Sequence, residues 1–161
     1  MAKTSRIGAA EDALFGLLTA RQAIGGAWDL PEVPGAKVEL TLGHPGGDLR
    51  KQHVWIPGES ESEQVWETTI GQTGQKTEAI TLAVAVWVNL EALDYRENRD
   101  RALELAGEVE LAVRDDFTLG TGADETVFQG EVTRHRVIAA MGDFGRACQV
   151  IVDVTVTSLL S

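Results

Sequence analysis

Cysteine is nearly absent. Cys148 is the only one in 161 residues, so no disulfide can close within the chain, which fits a reducing compartment. Long apolar runs are missing too. The most apolar stretch, residues 79–88, is interrupted by Thr81 and is about half of the roughly 20 residues that a membrane helix needs. The opening Met-Ala-Lys-Thr-Ser-Arg is followed by no apolar segment of the kind found in a secretory leader. These features point to a protein made in the cytoplasm, with no membrane partner. Positive charge is scarce: 14 Lys and Arg face 25 Asp and Glu, a net of −11. Phosphate backbones and anionic membranes repel such a field, which excludes non-specific capture of nucleic acid. It leaves open a protein that lets DNA pass without gripping it. What remains is ordinary globular composition, 43% hydrophobic and 24% charged, which excludes wholesale disorder. The length suits one domain, residues 1–161, that buries roughly 68–70% of its unfolded surface without a metal or disulfide staple.

Periodicity divides the chain. In residues 6–25, Ile7, Ala10, Leu14, Leu17, Leu18 and Ile24 recur at helical spacing. Thr4 or Ser5 can cap the start, and Gly25-Gly26 can end it. Residues 29–35, with Pro31 and Pro34, read as a turn-rich connection. Residues 37–42 alternate as a half-buried strand, and 53–56 and 64–70 form two more short strands. Residues 77–89 make the longest strand. It is apolar or small on both faces, as expected of a central strand. Residues 98–114 form a second helix, buried through Ala102, Leu105, Ala106, Val109, Ala112 and Val113. Strands at 126–139 and 147–159 close the chain around a turn at 141–146, and the alternation puts Cys148 on the core side. The order α-β-β-β-β-α-β-β does not alternate regularly. It predicts an α+β fold: a single antiparallel or mixed β-sheet with two helices packed on one face.

Motifs that carry chemistry are few. Gly71-Gln-Thr-Gly-Gln-Lys-Thr77 lacks the glycine directly before lysine that a phosphate loop needs, and a strand follows where a helix should. His44, His53 and His135 are scattered, and His135 lies between Arg134 and Arg136, where a cation is disfavoured. Asp100, Glu104 and Glu108 form an i, i+4 acidic ladder with no histidine beside it, as a solvated helix face does. No serine sits in a nucleophile elbow. The residues thus indicate no cofactor, no metal and no enzyme. Trp55 and Trp66 lie on short polar strands, where a large ring is either core or a contact anchor.

The order of elements resembles the small tail-terminator, or tail-completion, proteins of long-tailed bacteriophages. The resemblance runs from the first helix to the last strand. It is carried most by residues 98–120, Asn-Arg-Asp-Arg-Ala-Leu-Glu-Leu-Ala-Gly-Glu-Val-Glu-Leu-Ala-Val-Arg-Asp-Asp-Phe-Thr-Leu-Gly, and by Gly-Gln-Thr-Gly-Gln-Lys-Thr-Glu before the central strand. It implies a non-enzymatic virion protein at the head-proximal end of a tail, assembled in the host cytoplasm. There it would form a ring of six subunits that caps the tail tube, joins it to the head–tail connector and lets DNA through. The alternatives are a head-completion or stopper protein of the neck and, from another class, a small ligand-binding or hydrolytic α+β domain. Function in such a family lies in surfaces. Two polar, glycine-rich loops, 43–52 and 117–125, break the apolar pattern and are expected to contact neighbours without serving the core. With the adjoining strand they supply the candidate interface residues His44, Asp48, Arg50, Lys51, Trp55, Thr118 and Asp124. Glu59, Glu61 and Glu63 alternate along residues 57–64, so an extended chain puts all three carboxylates on one side. They are read as a solvated loop or as the channel-facing row of the ring.

Overall fold

The structure is a computed structural model that describes residues 5–24, 37–46, 51–67, 75–91, 93–122 and 128–160. The elements are α1 (Ile7–Ile24), β1 (Val38–Leu42), β2 (Gln52–Ile56), β3 (Glu61–Glu67), β4 (Gln75–Val88), α2 (Tyr95–Asp115), β5 (Phe128–Gly142) and β6 (Gly145–Leu160). One sheet has the order β1-β2-β4-β6-β5, and β3 joins the β2 side of β4 along the first half of that strand. All ladders are antiparallel except β1–β2, which is parallel. The sheet is therefore mixed, and the fold is α+β, as the sequence predicts.

Alternation explains why the helices share one side. Ile80, Leu82, Val84, Val86 and Val88 of β4 and Cys148, Val150, Val152, Val154 and Val156 of β6 are fully buried in the main core. Ala10, Leu14 and Leu18 of α1 and the six small and aliphatic positions of α2 close over them. Fully burying a Val or Leu contributes about 1.5–3 kcal/mol, so this layer dominates the stability of the fold.

Three local differences from the sequence reading have physical causes. Helix α2 begins at Tyr95, three residues before the expected start. Asp94 accepts from the Glu97 N–H at 2.9 Å, and Glu97 accepts from the Asp94 N–H at 2.8 Å. This reciprocal cap satisfies two end donors of the first turn. Replacing Asp94 with alanine should cost about 1 kcal/mol in a urea titration. Strand β3 begins at Glu61, not Gln64, although it has no apolar alternation there. Ser62, which stays exposed, and Gln64 lie on the Glu78 side of the sheet and hydrogen-bond its buried carboxylate instead. The last turn contains two residues, not six, because Gly142 pairs with Gly145. Asn89 Oδ1 accepts from the Phe144 N–H at 3.0 Å and holds that tip. A Cβ at Gly142 would overlap the same Asn89 oxygen, so Gly142→Val should displace the bond and destabilise the hairpin by about 2 kcal/mol in thermal unfolding.

The two polar loops also serve the core, which corrects the expectation that they do not. Gln52 is fully buried and accepts from Arg101 Nε at 2.7 Å. Leu119 enters the main core at a left-handed φ of 53°. The Asp116 carboxylate holds that turn by accepting from Thr118 Oγ1 and from the N–H groups of Thr118 and Gly120. The 25–36 connection, including Gly25-Gly26, lies outside the described residues.

Candidate functional site: the helix-free face of the sheet

The other face of the sheet is covered by neither α1 nor α2. Trp55, Ala85, Trp87, Ala147 and Ile151 cover its β2 end as a second, smaller cluster. Trp55 is 2% exposed. It therefore belongs to the protein's own packing and is not an anchor offered on the surface. His44 and His53 meet its ring edge-to-face, each with centroids 5.7 Å away. Among the described residues its buried indole Nε1 has no hydrogen-bond partner, which costs about 1–3 kcal/mol.

Beside this cluster lies an open depression of about 620 Å³. Thr81, Ala83 and Ile151 form its floor. Glu59 and Glu61 stand on one rim, and Arg134 and Arg136 on the other. The acidic rim follows from register. Glu61 and Glu63 pair with Thr81 and Ala79, so both stand on the helix-free side of β3, as the i, i+2 spacing predicts.

The basic rim depends on a β-bulge. Val132 pairs with Val154 and faces the helices, but Arg134 pairs with Asp153, so Thr133 is an extra residue in β5. One extra residue reverses the facing of everything that follows. Arg134, Arg136 and Ile138 come to the helix-free side, and His135 turns toward α2, where it lies 3.4 Å from Glu110. Asp153, 9% exposed between the two arginines, lies 3.0 Å from Arg134 Nε and 3.5 Å from Arg136 Nη2. A carboxylate this buried needs such partners. The side chains of both arginines remain about half exposed or more. Replacing Asp153 with alanine should cost about 1–2 kcal/mol of stability, because it removes the charge-assisted bonds that order the bulged strand. Chemical denaturation would measure that loss.

The structure does not gather the candidate interface residues into one patch. Lys51 places its ammonium 5.0 Å from the Phe144 ring at the hairpin tip. Thr118 sits at the opposite end of β5, next to Phe117, whose carbonyl accepts from Gly130. His44 is exposed after β1. Asp48, Arg50 and Asp124 lie outside the described residues, as do the side chain of Trp66 and most of the Gly71–Thr77 stretch. Arg134, Arg136 and Asp153 were absent from the sequence-derived site. The i, i+2 arginines were visible, but the bulge that decides their face has no glycine or proline to mark it.

Among the described residues, no group of three or more His, Cys, Asp or Glu side chains is placed to hold a metal ion, and no helix is long and apolar enough to cross a membrane. Burial raises the Cys148 thiol above its ordinary value, which keeps it protonated at neutral pH. No family model matches the chain, and no curated protein matches it. Among solved structures it is similar to a chain from the virion of a native gene transfer agent (GTA) particle. The TM-score is 0.51 at 15% identity, over 98% of this chain and 99% of that one. At that identity the likeness is one of fold.

Proposed function

We propose that this chain is a structural protein of a phage-like particle, and that it forms the six-subunit ring closing the head-proximal end of the tail. The observation that carries the proposal is the end-to-end likeness of fold to a virion chain, which leaves almost no part of either chain unmatched. In this reading the chain's partners are its own copies, the tail-tube protein below and the head–tail connector above. The helix-free face, with Glu59, Glu61 and Glu63, turns toward the channel. Carboxylates, among them Glu59, Glu61, Glu63, Glu131 and Asp153, outnumber Arg134 and Arg136 there, so passing DNA meets a surface that does not hold phosphate.

A closed ring uses head-to-tail contacts, so each subunit offers two different patches. Particles purified from the producing host should contain the chain in several copies by mass spectrometry. Symmetry averaging at the head–tail joint should show it as a closed ring. Absence from particles, or turnover of a small substrate by the isolated protein, would sink the proposal.

A further inference from the structure

Resting on the ring reading, we infer that adjacent subunits join by pairing the free edge of β5 on one copy with the free edge of β3 on the next. Complementary charge on the helix-free face specifies the match. The occupant of each edge is thus a second copy of this chain.

Among the described residues, β5 pairs β6 alone across 15 residues, β3 pairs β4 alone, and the short β1 pairs β2 alone, so each has an open edge. A long unpaired edge is a template for another strand unless something blunts it. β5 contains no proline, and its bulge lies near its start, so the run from Arg134 to Gly142 stays regular. The same run and its turn carry Val137, Ile138, Met141 and Phe144, four of the seven exposed large hydrophobics among the described residues. Apolar surface concentrated on an open edge is what a strand-pairing contact would cover.

Charge then chooses the partner edge. Glu61 and Glu63 are exposed on β3, and Arg134 and Arg136 are exposed on β5, all four on the helix-free side. Two β3 edges would face carboxylate with carboxylate, and two β5 edges guanidinium with guanidinium. Like charges directly across a ladder are destabilising, whereas opposite charges stabilise it. β3 against β5 satisfies both sides with two carboxylates at the spacing of the two arginines, whereas β1 offers that face one, Glu39. That pairing is head-to-tail, the kind that propagates around a closed ring. It also keeps the helix-free face of every copy on the same side, because each junction continues the sheet. Glu131 lies before the bulge on the same face, outside the arginine pair, so the basic stretch is confined to the part of β5 beyond Thr133.

Sedimentation velocity on three full-length chains tests this. The first is the natural chain. The second carries Glu61→Lys and Glu63→Lys. The third carries Arg134→Glu and Arg136→Glu, with Asp153→Asn so that three carboxylates do not crowd one site. At about 20 mM salt, where the screening length is roughly 20 Å, the natural chain should associate as its concentration rises, and added salt should weaken that association. Each variant alone should associate at least about tenfold more weakly. An equimolar mixture of the two variants should recover the natural association, since each basic edge then meets an acidic one. A natural chain that stays monomeric up to millimolar concentration overturns the inference. So does a variant that associates like the natural chain, or a mixture that does not recover.

If the third chain lacks a cooperative melt, cross-linking gives the answer. Arg134→Lys and Arg136→Lys supply amines that a carbodiimide can join to carboxylates. In a mixture of ¹⁵N-labelled and unlabelled copies, linked peptides should pair either substituted position with Glu61 or Glu63 and carry one label each. Their absence overturns the inference. Failure here, with the chain still found in purified particles, removes this junction and leaves the virion reading standing.

Discussion

Replacing Asn98 with alanine should lower the unfolding free energy by about 3 kcal/mol, or the melting temperature by roughly 6–12 °C for a chain of this length. Asn98 is fully buried on α2. Its Oδ1 accepts from the Leu90 N–H at 3.0 Å. Its Nδ2 donates to the Arg146 carbonyl at 3.0 Å and to the Leu93 carbonyl at 3.4 Å. One amide thus joins the chain after β4, the approach to α2 and the start of β6. Alanine would leave the buried Leu90 N–H without this acceptor, at about 1–3 kcal/mol, and take the amide donor from the partly buried Arg146 and Leu93 carbonyls. Aspartate would keep the acceptor but lose the donor and bring negative charge to the Arg146 carbonyl. It should therefore be at least as harmful. Urea unfolding followed by circular dichroism would measure both. A loss below about 1 kcal/mol for alanine would mean that water replaces the amide and that the site is not dry.

The parts of this fold legible in the sequence are those written in apolar periodicity. The six buried apolar positions of α2, the inward alternation of β4 and the core placement of Cys148 were readable because one residue type recurs at one spacing. What escaped the reading is held by polar side chains whose partners are far away in sequence. The start of β3 looks like a loop until Ser62 and Gln64 are seen facing Glu78. Asn89 and Asn98 look like ordinary surface residues, yet they fasten the hairpin tip from 55 and 48 residues away. The cap of α2 is different. Asp94 and Glu97 stand at capping-box spacing and could have been found. On the helix-free face, the spacing of Glu61 and Glu63 gave their common side correctly. The opposite rim was hidden because the bulge at Thr133 reverses the facing of the strand after it, and an unmarked extra residue cannot be counted from one sequence.

Glu78 should make this protein sensitive to acid, and replacing it should remove much of that sensitivity. The residue is fully buried on β4, opposite Ser158 of β6. Its carboxylate accepts from Ser5 Oγ at 2.6 Å and from the Arg6 N–H at 2.9 Å. Ser62 and Gln64 of β3 bond to it as well. Ser5 in turn accepts from the Ile7 N–H at 3.2 Å, so the acid fixes the start of α1 to the sheet. Burial pushes the carboxyl up, but the four hydrogen bonds together outweigh burial and hold it below its ordinary value of 4.5. The folded protein therefore binds this proton less tightly than the unfolded chain does. The resulting stabilisation is complete above the ordinary value and disappears as pH falls through the lower, folded one. Glu78→Gln is close in shape but offers one acceptor oxygen and turns an NH₂ toward donors. It should cost about 2–3 kcal/mol at pH 7. Other carboxylates titrate in both proteins, so the informative quantity is the difference between them. Urea titrations from pH 7 to pH 3 should show the gap between natural chain and variant closing below about pH 4.5, as the natural carboxylate takes up its proton. A gap that stays constant or widens on acidification would show that Glu78 does not hold its charge through these bonds. The anchoring of α1 would then have to rest on its apolar stripe alone.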